Sequence, residues 1–429
     1  MPAAALCSLP DTPLGLYVHV PFCAARCGYC DFNTYVPGDG GEDERAAYVR
    51  AALAEIRLAR RVLGSGAPAV GTVFFGGGTP TLLPAELLAA LLDEIRDAFG
   101  LAPGAEVTTE ANPETVSPAM LGVLRGAGFT RISLGMQSAV PHVLAALDRR
   151  HTPGRAVDAA AQAREAGFEH VSLDLIYGTP GETGADWEAS LRAALSAGVD
   201  HLSAYGLTVE PGTRLHARIR AGAMRAPDDG VLADRYRAAD ALLASAGLRW
   251  YEIANWALDG AGRCRHNEGY WRSANWWGIG PGAHSHVGGV RWWNVLRPRR
   301  VRARLAVGES PAAGRERLGA SERRTERIML EVRLAEGLRL GADDGVALAA
   351  AEREVAAGRL SDAAWRDGRA VLTLDGRLLG DAVARALVGW PAGSDGGSRA
   401  GSNSRSEERR TVSGGSPAAT HRARRARAL

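Results

Sequence analysis

The sequence predicts an α/β fold: a parallel sheet with helices on its outer face, closed only part of the way into a barrel. Three observations carry that expectation. Six short β-branched runs alternate with longer amphipathic stretches between Leu14 and about Glu210. Six repeats fall short of the eight that close a full barrel. The apolar run from Leu14 to Val20 ends at Pro21 and leads into three thiols, Cys23, Cys27 and Cys30, in one short loop. Active sites in such folds gather where strands end and loops begin.

The expected strands are Leu16–Val20, Thr72–Phe75, Glu106–Glu110, Thr130–Leu134, His170–Leu175 and His201–Leu207. Helical stretches such as Glu44–Leu63, Pro84–Phe99 and Trp187–Ala197 separate them. The thiol spacing, CxxxCxxC, suits one metal centre gripped from one side. Iron–sulfur clusters use cysteine thiolates at such short spacings, normally four of them. Three leave one iron open, as a catalytic metal site keeps a free position. A zinc site would need His19 or Asp31 as a fourth ligand, and a closed cluster would need Cys7 or Cys264. An odd five cysteines in a chain of 429 residues does not suit a disulfide framework.

The string Tyr17-Val-His19-Val-Pro21-Phe22-Cys23-Ala-Ala-Arg26-Cys27-Gly28-Tyr29-Cys30 resembles the YxHxPFCxxxCxxC signature of radical S-adenosylmethionine (SAM) proteins. The branch it resembles contains oxygen-independent coproporphyrinogen III oxidase, HemN, and the heme chaperone HemW. The resemblance implies an incomplete, TIM-like (β/α)6 radical SAM barrel over residues 14–213, after a lead-in of residues 1–13. It implies a 4Fe-4S cluster on Cys23, Cys27 and Cys30, SAM bound at the open iron, and an electron donor such as a flavodoxin or ferredoxin.

Each later strand end then acquires an expected role. Gly77, Gly78 and Thr79 belong to a GGGTP segment, where missing side chains let the backbone approach a ligand. Glu110 ends the third strand, and a carboxylate there can accept from a ribose or an ammonium group. Gln137 and Arg149 follow the fourth strand, with Arg150 taking over if the helix register differs by one. Asp174 lies inside the apolar run of LDLIYGTPGET, where burial without a partner is costly. The resemblance makes all of these, with Tyr17, SAM-binding positions, and places Thr208 near the cofactor.

From about Arg214 to residue 310 the pattern changes to helices and then an aromatic, Gly-rich stretch. Seven of the ten tryptophans fall between Trp250 and Trp293. Such a cluster is either core or a surface for a planar macrocycle, whose iron takes His or Cys as an axial ligand. His266-Asn267-Glu268-Gly269-Tyr270-Trp271 resembles the HNxxYW motif of HemW-type proteins. The resemblance makes His266 the leading heme ligand, with Cys264 and His284 as further candidates.

Residues 311–390 begin with a capped helix at Ser321, carry a hairpin signal from Ala370 to Leu379, and resemble a small winged-helix-like α+β domain. Residues 391–429 are Gly/Ser-rich, hold eight Arg against three acidic residues, and have the composition of a disordered basic tail.

Composition narrows the function. The 51 basic residues are all arginine, and the net charge of +3 is too small to suggest a nucleic-acid partner. No apolar run is long enough for a membrane span. The start MPAAALCSLPDTP lacks the features of a secretory signal, and free thiols suit the reducing cytoplasm. Between the two relatives, the oxidase motif continues CxxxCxxCxC, whereas Phe32 stands here at the added cysteine position. The resemblance therefore favours a heme chaperone that passes heme to an acceptor protein, with the oxidase as the alternative.

Overall fold

A computed structural model of the chain describes residues 1–390 apart from 8, 10, 11, 39 and 40. The basic stretch 391–429 lies outside the described residues. Six parallel strands form the centre of the molecule and pair in sequence order: β1 (Leu14–Val20), β2 (Val70–Gly77), β3 (Leu101–Ala111), β4 (Arg131–Gln137), β5 (His170–Tyr177) and β6 (His201–Gly206). Along β1, Leu16, Val18 and Val20 are fully buried in the main core. Their neighbours Gly15, Tyr17 and His19 fall on the other face, as a period of two requires. Helices cover the first face. In the helix Ala85–Phe99, Leu88, Leu91, Leu92 and Ile95 form one buried stripe at helical spacing.

The aromatic region is not a separate unit of helices and loops. β7 (Arg249–Glu252) and β8 (Asn255–Ala257) pair antiparallel beyond β6. At the opposite edge β9 (Asn275–Ile279) pairs parallel with β1, and β10 (His284–Val287), β11 (Val290–Asn294) and β12 (Ala312–Arg317) continue antiparallel. The result is one open sheet of twelve strands. The tryptophans of this region are mostly core: Trp256, Trp271, Trp276, Trp277 and Trp292 are all buried.

Residues 320–390 have an apolar cluster of their own, built from Ile328, Val332, Leu338, Ala347, Leu360, Val383 and Leu387. β13 (Leu338–Arg339) and β14 (Arg369–Ala370) pair antiparallel within it. The expected hairpin from Ala370 to Leu379 does not form. Thr373 instead caps a short helix, Leu374–Leu378, its hydroxyl accepting from the Gly376 amide, so Asp375-Gly376 is helix and not turn. Arg324 and Arg327 both pair with the buried Asp344 and do not form an open basic face.

Candidate functional site

Pro21 lacks an N–H, so β1 stops there, and the chain returns to it fourteen residues later. The Tyr35 amide donates to the Pro21 carbonyl (2.7 Å) and the Cys23 amide to the Tyr35 carbonyl (3.0 Å), closing the base of the cysteine loop. Its tip is held from two sides. The Gly28 amide donates to the Leu147 carbonyl (3.1 Å), and the Leu215 amide to the Gly28 carbonyl (2.9 Å). A side chain at residue 28 would come within 2.6 Å of the Asp148 carboxylate, which would have to swing aside to admit it.

The thiols are close enough for their charges to act on one another, although among the described residues no three His, Cys, Asp or Glu side chains are gathered tightly enough to hold a metal ion as they stand. Burial pushes Cys23 up and Cys30 up to about 11, with the charges of Cys27 and Cys23 adding to the rise at Cys30. Without a metal Cys23 and Cys30 hold their protons at neutral pH. Iron charge would displace them, because the ligand is the thiolate. The fourth ligands weighed for a closed site have other surroundings. His19 bonds Tyr17 Oη through Nδ1 (3.0 Å) and the Asn33 carbonyl through Nε2 (3.0 Å). Asp31 and Cys7 are exposed. Cys264 is buried, its thiol directed at Glu106 Oε1 (3.6 Å) in the middle of β3, away from the strand ends that carry the cysteine loop.

Beside the thiols, the strand ends bring the expected cofactor residues together. Arg149, not the exposed Arg150, turns inward: Nη1 reaches Cys27 Sγ (3.6 Å) and Nη2 donates to the Gly135 carbonyl (2.8 Å). Its buried Nε has no hydrogen-bond partner among the described residues. Gln137, held at φ 65°, lies against the same Gly135. Asp174 is not bare: the Ser133 hydroxyl lies 3.0 Å from both of its oxygens, and Ser203 donates as well. Glu110 Oε2 accepts from the Gly77 amide (2.9 Å).

Burial raises both carboxyls, Glu110 to about 7, and the charge of Asp174 adds to the rise at Glu110. Two buried carboxylates short of cationic partners, next to a guanidinium with an unused N–H, fit a zwitterion bearing an ammonium, a carboxylate and sugar hydroxyls. SAM has those groups. The GGGTP turn is tied into the site by its own backbone. The Gly78 and Thr79 amides donate to the Val20 and Phe22 carbonyls (2.8 and 2.7 Å), so these amides bind the turn to the cysteine loop. Thr208 is exposed, beyond the end of β6.

The HNxxYW helix, Arg265–Trp271, is at the other end of the sheet. His266 lies against Gly15, the second residue of β1, whereas Gly77, at the end of β2, lies against His19. His266 is 4% exposed, and both ring nitrogens are engaged, Nδ1 with Thr72 Oγ1 (2.8 Å) and Nε2 with Tyr270 Oη (2.9 Å). Its ring stacks on Phe74 at 5.3 Å between centroids. Burial depresses its pKa to about 4, so the imidazole is neutral.

A buried ion pair anchors this helix. Glu106 Oε2 lies 3.3 Å from Arg131 Nε, and Glu106 also accepts from the Arg265 and His266 amides (3.1 and 3.0 Å). Sequence reasoning passed over Glu106, Arg131, Ser133 and Ser203. Strand alternation was the available signal for the serines, since Ser133 and Gly135 share a face, as do Ser203 and Tyr205. His284, the third heme candidate, stacks beside Trp293 at 6.0 Å, half-buried on β10.

An open parallel sheet with a three-thiol loop on its first strand, and cofactor-type residues along the ends of the next four, defines a radical SAM protein. The family model of the radical SAM superfamily matches residues 17–194. The fold superposes on Escherichia coli HemN, a coproporphyrinogen III oxidase, with a TM-score of 0.77 at 22% identity, covering 89% of this chain and 92% of that one. The heme chaperone HemW of Mycobacterium tuberculosis is 54% identical over 386 residues, 90% of this chain and 97% of the relative. HemW of Escherichia coli K12 is 39% identical over 64% of this chain and 70% of the relative. The chain belongs to the HemW family of radical SAM proteins. No helix among the described residues is long and apolar enough to cross a membrane.

Proposed function

We propose that this chain is a heme chaperone that binds heme and passes it to an acceptor protein in the cytoplasm. In this reading it carries a 4Fe-4S cluster on Cys23, Cys27 and Cys30, with SAM at the open iron. The observation that carries it is the likeness to the M. tuberculosis chaperone along almost the whole of that relative. Phe32, in place of the further cysteine of the oxidase motif, supports the same side.

When bound, the cluster supplies one electron and SAM a cleavable sulfonium. The chain's own residues do the holding. Arg149 neutralises charge at Cys27 and offers its free Nε–H to the SAM carboxylate. Glu110 takes the ammonium, and Asp174 the ribose hydroxyls, sharing them with Ser133 and Ser203. His266 would offer a neutral imidazole to heme iron once Nε2 is released from Tyr270 Oη.

The test is an anaerobic heme titration of the reconstituted protein followed by the Soret band, alongside a coproporphyrinogen turnover assay with SAM and a reductant. Saturation near one heme per chain without turnover supports the chaperone. Turnover without tight heme binding would assign the oxidase activity instead.

A further inference from the structure

Residues 320–390 carry a cleft of about 680 Å³ between the helix Ala320–Glu331 and the turn that follows β13. Small-molecule sites span roughly 300–1,000 Å³. The proposed cluster, SAM and heme sites use none of its residues. Ala320, Arg324 and Arg327 recur at helical spacing, so one face of the helix lines the cleft. Arg339, Leu340 and Gly341 line it from the turn.

Three guanidinium groups meet there, and one carboxylate fixes two of them. Asp344, 2% exposed, accepts from Arg324 Nε (2.5 Å), Arg327 Nη2 (3.1 Å) and the Gly341 amide (3.0 Å). Arg327 Nη1 also donates to the Arg339 carbonyl (2.9 Å), which ties the helix to β13. Both Nη groups of Arg324 are left without a hydrogen bond among the described residues. Arg339 is exposed, and its side chain makes no hydrogen bond or ion pair among them. Asp343, the other acid in the lining, is exposed and pairs with none of these arginines. Guanidinium forks held in place by a buried carboxylate, with N–H groups still open, are preorganised for an oxyanion. A planar carboxylate fills one fork, whereas a tetrahedral phosphate offers oxygens to several at once.

We propose that this cleft binds a small phosphate monoester, with the phosphate held by Arg324, Arg327 and Arg339 and the organic part lying against Ala320 and Leu340. Asp344 is the positioning residue, since it touches the arginines and leaves their open N–H groups to the ligand. No covalent bond is made or broken. Neither the cluster, SAM nor heme enters this site.

The experiment is a calorimetric titration of the full chain with phenyl phosphate at fixed ionic strength, with benzoate in a parallel arm. Phenyl phosphate should fill one saturable site per chain and bind about tenfold or more tightly than benzoate. Arg339→Glu, which reverses a charge that braces nothing else, should weaken phenyl phosphate about tenfold or more at an unchanged melting temperature. Arg353→Glu, at an exposed arginine outside the cleft, should bind like the wild type. Absence of a saturable site, or equal affinity for benzoate, would overturn the proposal. Affinity unchanged in Arg339→Glu would place the ligand elsewhere on this arginine-rich chain. Equal weakening in Arg353→Glu would reduce the binding to diffuse attraction, and either result would remove the cleft as a site.

Discussion

Arg149 Nη1 stands 3.6 Å from Cys27 Sγ, which places a buried cation against the middle thiol of the loop. That guanidinium also reaches the Gly135 carbonyl, so a single side chain ties β4 to the proposed cluster. Cys27→Ala should abolish cluster reconstitution, because two thiolates cannot hold it. Arg149→Met should allow reconstitution but weaken SAM binding about tenfold or more, by removing a charge-assisted hydrogen bond. Iron and sulfide analysis with SAM titration checks both; a full complement of cluster in Cys27→Ala would refute the ligand assignment.

Asp174→Ala should lower SAM affinity by about ten- to hundredfold, the range of hydrogen bonds to a charged group. Cluster absorbance should stay intact, since Asp174 bonds Ser133 and Ser203 and not the cysteine loop. Unchanged affinity by calorimetry would return Asp174 to a purely structural role.

SAM affinity should depend on pH through Glu110. Burial holds this carboxyl at about 7, and only its ionised form attracts an ammonium group. Affinity should therefore rise about tenfold from pH 6 to 8, about half-maximal at pH 7, and level off above pH 8. Glu110→Gln should bind more weakly and lose that slope. A wild-type affinity that is flat across this window would count against Glu110 as the partner of the ammonium.

Glu106→Ala should destabilise the chain by about 3–5 kcal/mol, because it leaves Arg131 buried without its partner. His266→Ala should cost about 2–4 kcal/mol from the cavity and two lost hydrogen bonds. Chemical denaturation reads both. Heme titration of His266→Ala, compared with a Phe74→Leu variant that loosens the same packing, separates ligation from stability: an altered Soret band in the histidine variant alone marks the ligand.

Glu55 links stability to pH. It is buried, accepts from the Gly280 amide (2.8 Å) and from Asn294, and burial raises it to about 8 from an ordinary 4.5. A carboxyl raised by folding stabilises the native state fully below its unfolded value. That contribution is lost as pH rises through the folded value. Melting temperature should fall between about pH 4.5 and 8, and Glu55→Gln should flatten that part of the curve. Equal slopes in the two proteins would exclude Glu55 as the cause.

The sequence by itself determined the six-strand core, the cysteine loop and the row of strand-end residues, because each depends on local pattern. Alternation sets the strand face, Pro21 ends β1, and thiol spacing sets the reach of the loop. It could not decide where residues 249–317 go. β9 joins β1 across more than two hundred and fifty residues, and such pairing follows from which sheet edge remains open, not from local propensity. Tertiary structure also decided that Asp174 has two serine partners, that Arg149 and not Arg150 turns inward, and that His266 is packed at the opposite strand ends from the thiols. Each depends on which buried polar group meets which, and a buried group must find its partner wherever the fold brings one.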